Sequence, residues 1–263
     1  MKTAIIISSC DSFSDCWEPM IYSFETSWPD CPFPIYVVSN FLELNNKNVI
    51  FLKVGKDMAF TTNLKKALKQ IDYDYIIYFQ DDYFLENAVN TKEILNHINH
   101  CHDHDIDYLK LENDAMLRDE YQIENSIYCR NPINIKYSLN TAVAIWNKRK
   151  LEELCVEGFT GWDFERKIIK YIKDNKIEVK AETIHSNFIL EYGIKCVEGT
   201  AVRRGKWTLS GYNYLKTHGF DSLITRRDVE SQILTFALSL YNPKSISRFP
   251  VSLLIKALQY FKL

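Results

Sequence analysis

Residues 76–85, Ile-Ile-Tyr-Phe-Gln-Asp-Asp-Tyr-Phe-Leu, constrain the fold more than any other stretch of this chain. β-Branched and aromatic residues in an unbroken run fit a central strand buried on both faces. The run stops at Asp81 and Asp82, then turns apolar again at Tyr83, Phe84 and Leu85, which are not turn residues. Carboxylates at a strand end are costly to desolvate unless they hold a cation or hydrogen bonds. That end of a strand is also where open α/β sheets place their ligands. A strand that exits into a polar turn is the plainer alternative. If the pair holds a cation, alternation sends the two side chains to opposite faces, and Asp82 is the expected ligand of Mg²⁺ or Mn²⁺.

The pattern on either side of this run is that of an α/β protein. Residues 4–8, 35–38, 49–52 and 108–111 read as further strands. Helices are expected over residues 18–28 and 57–71, and after the cap Asn90-Thr91. Alternation at this spacing predicts a mainly parallel sheet with helices on both faces. Beyond residue 112 the pattern changes to short strands over 126–128 and 137–146, then helices over 148–155 and 163–174. Residues 1–112 read as a Rossmann-like nucleotide-binding half and residues 113–240 as an acceptor-binding half of the same domain. Residues 241–263 form an amphipathic tail.

Composition excludes several classes. A net charge of -2 argues against bulk nucleic-acid binding. The 7 cysteines are odd in number and contain no CxxC pair, as expected of reduced thiols. No signal-peptide pattern and no run of about 20 apolar residues is present, so a cytoplasmic protein is expected. Only 8 glycines occur, the first at Gly55, with neither GxGxxG nor GxxxxGK[ST]. A Rossmann dinucleotide enzyme or a P-loop NTPase is therefore not expected. A phosphorylated ligand would have to be held by a metal and basic side chains instead.

Two later segments carry chemistry. In Gly158-Phe159-Thr160-Gly161-Trp162-Asp163-Phe164-Glu165-Arg166, two carboxylates open an apolar-periodic helix. Asp163 there suits an N-cap, and it equally suits a general base whose pKa an apolar setting raises. In Val202-Arg203-Arg204-Gly205-Lys206-Trp207, three cations surround a glycine beside an indole. They form either a diphosphate clamp or a solvated basic turn.

Together, in this order, Gln80-Asp81-Asp82, Trp162-Asp163-Phe164-Glu165 and the basic turn resemble glycosyltransferases of the GT-A fold, of the bacterial polysaccharide-biosynthesis type. The strand residues 138–146 resemble the acceptor-side strand of that family, and the resemblance spans about residues 3–210. It implies a nucleotide-diphospho-sugar donor and a glycan or lipid-linked acceptor. It also implies a divalent metal on the DxD-like motif through Asp82, with Asp81 beside it. Asp163 is the implied general base of an inverting transfer, with Glu165 orienting the acceptor or serving as the base itself. Arg203, Arg204 and Lys206 are implied diphosphate contacts. Ser8, Ser9, Cys10 and Asp11 would face the nucleotide, Asp11 holding base or ribose unless it is a turn residue, and residues 61–66 would border the nucleobase. Two departures stand out: Gln80 replaces the usual first aspartate, and Trp162 stands where an acid precedes the base. Gln80 leaves room for a non-catalytic nucleotide-sugar-binding or scaffolding protein on the same fold. A nucleotidyltransferase is a third class, but the glycine-rich amino-terminal loop it requires is missing.

The remaining signals are read as structural. His97, His100, His102 and His104 crowd with Asp103, Asp105 and Asp107, the expectation being a solvated helix end. His185 and His218 are isolated. Residues 246–263 combine apolar side chains with Arg248, Lys256 and Lys262, and either lie at a membrane surface, at the inner face of the membrane, or pack on the domain.

Overall fold

The computed structural model describes residues 1–112, 121–185, 188–197 and 200–230. The tail at 246–263 lies outside the described residues. The chain separates into two compact units, Met1–Cys196 and Val197–Leu263.

The first unit is built on one eight-stranded sheet. β1 (Thr3–Ser8), β2 (Ile35–Ser39), β3 (Val49–Lys53) and β4 (Tyr75–Gln80) come from its first half. β5 (Tyr108–Lys110), β6 (Tyr128–Arg130), β7 (Ala144–Asn147) and β8 (Ala181–Ile184) complete it. The strand order is β3-β2-β1-β4-β7-β5-β8-β6. The first four neighbours are parallel, β7 runs antiparallel to both β4 and β5, β8 is parallel to β5, and β6 is antiparallel to β8. The expected parallel sheet is thus realised in the first half and becomes mixed in the second.

Helices cover both faces. α2 (Phe60–Leu68), α4 (Lys148–Leu154) and α5 (Gly161–Asp174) bury Leu64, Leu68, Leu151, Phe164, Ile168 and Ile172 against Ile6, Ile76, Tyr108 and Trp146. Phe164, Ile168 and Ile172 recur every four residues, so a single stripe of α5 meets the sheet. On the opposite face lie α1 (Trp17–Ser27), whose Phe24 packs edge-on against Phe79 at 5.1 Å, and α3 (Thr91–Asp103), over β5 and β7.

Local hydrogen bonding moves several boundaries from where periodicity puts them. α2 starts at Phe60 rather than Asp57, because the Asp57 carboxylate accepts from the Asn63 amide group (2.7 Å) and the Ala59 N–H (3.2 Å). Ala59 itself stands at φ 113°, ψ 158°, outside the helical region. The expected strand at 137–146 shrinks to Ala144–Asn147. Upstream of it, Asn131 donates to the Ser138 carbonyl, the Ser138 hydroxyl lies against the Pro132 and Ile135 carbonyls, and Asn140 accepts from the Ala142 N–H. Short polar side chains that bond nearby backbone compete with a strand ladder.

The histidine segment also differs from expectation. His102 and His104 are exposed, but His97 is fully buried and His100 mostly so. The carbonyl of Tyr192, the last residue of α6 (Ile189–Tyr192), only accepts and lies 2.8 Å from His97 Nε2, so Nε2 carries the proton and Nδ1 accepts from the Tyr128 hydroxyl at 2.8 Å. Burial pushes the His97 pKa below its ordinary value, in keeping with this neutral form. His100 pairs with Glu182 at 2.7 Å and stacks on Tyr128 at 3.8 Å. This end of α3 is a polar latch onto β6 and β8.

In the second unit, β9 (Val202–Arg203) and β10 (Lys206–Trp207) form a hairpin whose turn places Arg204 and Gly205 at φ 52° and 77°. Two positive φ values in succession are those of a type I′ turn, which accounts for the glycine. α7 (Leu209–Thr217) and α8 (Asp221–Ile224) follow, and Trp207 is fully buried.

Candidate active site

The carboxyl ends of β1 and β4 lie side by side, Ser8 paired with Gln80, and the chain beyond each strand meets the other. The Ser9 hydroxyl donates a short hydrogen bond to the Asp81 carboxylate and accepts one from the Trp17 indole N–H at 2.6 Å. Asp81 and Asp82 are both buried, at 6% and 5% exposure. The Tyr78 hydroxyl is buried near Ser8 and Asp81. Burial raises its pKa well above the usual phenol, and the charges of Asp81, Cys155 and Glu165 raise it further. Asp81 and Glu165 therefore act on the same buried hydroxyl from two motifs that are 84 residues apart in sequence.

Several contacts bring the second motif to this edge. The Thr61 hydroxyl, at the start of α2, bonds to the Val156 and Phe159 carbonyls, and the Gly158 N–H donates to Thr62 at 2.9 Å. From the second turn of α5, Glu165 Oε1 accepts from the Thr141 N–H (3.1 Å) and hydroxyl (2.7 Å). Asp163, three residues after the true N-cap, is a capping residue. Thr160 caps the helix by accepting from the Asp163 N–H, and Asp163 accepts from Thr160 in return, completing a capping box. Lys167 pairs with Asp163 at 2.7 Å. The Lys167 and Thr160 hydrogen bonds lower the Asp163 pKa to about 2. A general base was expected to have a raised value; this carboxylate has the opposite. Trp162 is 63% exposed, and the Arg166 guanidinium lies over its ring at 5.3 Å.

Asp11 lies at the same edge, in a backbone-binding role. Its carboxylate accepts from the backbone N–H groups of Asn40 (2.8 Å), Phe41 (3.0 Å) and Leu42 (3.3 Å). Both oxygens accept in fixing the loop after β2, which is the turn-residue alternative for Asp11.

Glu112 belongs to the site and escaped the sequence reading. It follows β5 one strand beyond β7 from Asp82, and desolvation lifts its pKa to about 7. Lys110 and a hydrogen bond from the Val143 N–H oppose that rise, while the Asp82 charge adds to it. A weaker form of the signal that singled out Asp81 and Asp82 was present here too, since the short strand at 108–111, interrupted by Lys110, also ends in a carboxylate.

The basic turn belongs to the second unit. There Arg203 pairs with the buried Glu230 at 3.1 Å and Lys206 with Asp228 at 3.1 Å, while Arg204 occupies the exposed turn. Two of the three cations expected to clamp a diphosphate thus have carboxylate partners within their own unit.

Asp82 and Glu112 offer hard oxygen donors that suit Mg²⁺ or Mn²⁺. Among the described residues no group of three His, Cys, Asp or Glu side chains is arranged to hold a metal. Two carboxylates do not make a closed protein cage; Mg²⁺ commonly binds through one or two carboxylates together with ligand phosphates.

No protein-family model matches this chain, and no curated protein matches it by sequence. Solved structures do resemble it. The structure of S. aureus TarS 1–349 in complex with UDP is 12% identical, with a TM-score of 0.50, over 88% of this chain and 67% of that one. S. aureus TarS in a longer form is 14% identical, with a TM-score of 0.47, over 94% of this chain; this chain spans only 44% of its length. A cytidylyltransferase from Leptospira borgpetersenii is 14% identical, with a TM-score of 0.41, over 70% of this chain and 76% of that one. The eight-stranded mixed sheet with helices on both faces and the first of these likenesses support one fold: the chain has a GT-A-like fold.

Proposed function

We propose that this chain is a glycosyltransferase that moves a sugar from a nucleotide-diphospho-sugar to a hydroxyl of a glycan or lipid-linked acceptor, with inversion, in surface-polysaccharide assembly. One observation carries the reading. Three separately encoded carboxylate systems, Ser9–Asp81, Asp82–Glu112 and Thr141–Glu165, are assembled at the carboxyl edge of one sheet. Such an edge is where open α/β sheets bind ligands. The UDP in the TarS 1–349 structure makes a uridine nucleotide the first to test.

In this reading the loop fixed by Asp11 borders the nucleotide, and Asp81, oriented by Ser9 and Trp17, receives donor hydroxyls. Asp82 would hold Mg²⁺ or Mn²⁺, which when bound would offset the negative charge of the diphosphate. Glu165 is the better placed of the two late carboxylates to take the acceptor proton. Thr141 fixes one of its oxygens, which leaves the second for the hydroxyl, whereas Asp163 is held in its cap and ion pair. No described helix is long and apolar enough to cross a membrane; a cytoplasmic site of action and surface contact through residues 246–263 complete the proposal.

The test begins with binding. Thermal shifts with UDP-, GDP-, dTDP- and CMP-sugars, with and without Mn²⁺, are compared for wild type and Asp82→Asn. Stabilisation by one nucleotide class that needs both Asp82 and metal is expected. Turnover should then fall at least about a hundredfold in Glu165→Gln, as for a lost acid–base group, and stay within a few fold in Asp163→Asn. The reverse ranking returns the base role to Asp163. Binding without turnover favours the non-catalytic reading that Gln80 allows. Pyrophosphate release from a nucleoside triphosphate and a sugar phosphate establishes nucleotidyl transfer instead.

A further inference from the structure

The β4–β7–β5 register places Tyr78, Ala144 and Lys110 in one row across the sheet. Glu112, two residues past Lys110, continues that face toward the carboxyl edge. Its position is set by Val143, just before β7, because the Leu111 N–H donates to the Val143 carbonyl at 2.9 Å and the Val143 N–H bonds to the Glu112 carboxylate. Tyr83 follows β4 by three residues, and the charges of Glu112 and the adjacent Asp82 both act on its buried hydroxyl. Beyond them runs a strap in which the Ile194 N–H donates to the Leu111 carbonyl at 2.9 Å, Lys195 accepts from the Glu86 N–H at 3.1 Å, and Cys196 bridges to Leu85. Within this frame Glu112 and Tyr83 stay partly exposed, although the strand ends around them are buried. A fixed carboxylate accepts hydrogen bonds from ring hydroxyls, and an aromatic face beside it covers the apolar C–H side of the same ring.

We propose that Glu112 and Tyr83 form a sugar-recognising subsite beside Asp82, with Glu112 accepting from hydroxyls of a pyranose ring and Tyr83 packing against its C–H face. The proposal rests on the reading of this chain as a nucleotide-sugar transferase, and the ring is that of either the donor or the acceptor.

Calorimetry with the nucleotide sugar that shifts the wild type most, and with its parent nucleotide, is paired with binding to a glycan array. Both are run on wild type, Glu112→Gln and Tyr83→Leu, with circular dichroism to confirm folding. If the ring is the donor's, each variant loses about tenfold in affinity for the nucleotide sugar and keeps its affinity for the parent nucleotide. If the ring is the acceptor's, nucleotide-sugar affinity and slow donor hydrolysis are unchanged, and glycan binding drops about tenfold. A wild type that binds glycans through Glu112 but no nucleotide sugar overturns the donor reading and keeps the subsite. Equal binding by all three proteins, or no sugar bound in either assay, overturns the subsite.

Discussion

Replacing Glu112 with glutamine should make the protein more stable at alkaline pH, by an amount that follows from the burial of the carboxylate. The ordinary glutamate pKa of 4.5 rises to about 7 in the fold, first through desolvation and then through Asp82. An acid with a raised folded pKa keeps its proton in the fold after the unfolded chain has released it. Stability is therefore lost as pH rises from about 4.5 to 7 and stays lost above that window. At 1.36 kcal/mol per unit, the 2.5-unit difference sets a ceiling of about 3 kcal/mol at pH 8 and leaves about 1 kcal/mol or less at pH 5. Glutamine has nearly the same shape, can still accept from the Val143 N–H, and carries no charge at any of these values. Urea unfolding followed by tryptophan fluorescence at pH 5, 6, 7 and 8 should show Glu112→Gln gaining on wild type steadily, with most of the gain between pH 5 and 7. A pH-independent difference, or a variant less stable than wild type at pH 8, would refute the placement of this carboxylate in a desolvated setting beside Asp82.

Three further outcomes are expected. Ser9→Ala removes both the acceptor of the Trp17 indole N–H and the donor to Asp81, and should lower unfolding stability by about 1–3 kcal/mol in denaturant melts; a loss too small to measure would mean that water replaces the hydroxyl. Ala59→Gly removes a side chain from a φ of 113° that alanine rarely adopts. Relief of about 1–3 kcal/mol of strain exceeds the 0.5–1 kcal/mol entropic penalty of a glycine, so the variant's melting temperature should rise, and a fall would show the strain to be absent. Gly211→Ala puts a Cβ 2.4 Å from the Ala201 carbonyl oxygen. Backbone cannot swing aside there as a flexible side chain would, so about 1–3 kcal/mol of local stability should be lost, read as faster hydrogen exchange in α7; unchanged exchange would refute that close approach.

How far each motif could be read depended on what surrounds it. Asp81 and Asp82 stood out because a strand buried on both faces must be apolar, and any carboxylate at its end is conspicuous. Glu112 obeyed the same rule at the end of a three-residue strand, where too little apolar sequence precedes it to draw notice. The helix of Asp163 and Glu165 was evident from its four-residue apolar spacing. Which carboxylate would serve the cap was not, because Thr160 and Asp163 are both good capping residues, and their reciprocal bond, with the Lys167 pair, decided between them. The basic turn carried its charges in plain view, while its partners Asp228 and Glu230 lie more than twenty residues further along.

From the sequence alone come the α/β alternation, the carboxylates closing the fourth strand, the missing glycine loop and the resemblance to GT-A enzymes. All of these are local, set by side-chain periodicity and by which residue types can end a buried strand. Only the tertiary structure decided the reversal of β7 between β4 and β5, which brings Glu112 beside Asp82. It also decided the neutral latch of His97 onto Tyr128 and Tyr192, the bonding of Asp11 to the loop after β2, the capping of α5 by Asp163 and the bonding of Glu165 to Thr141. Apart from that cap, each depends on a partner distant in the chain, and a side chain's pKa and free hydrogen-bonding capacity are properties of that partner as much as of the residue itself.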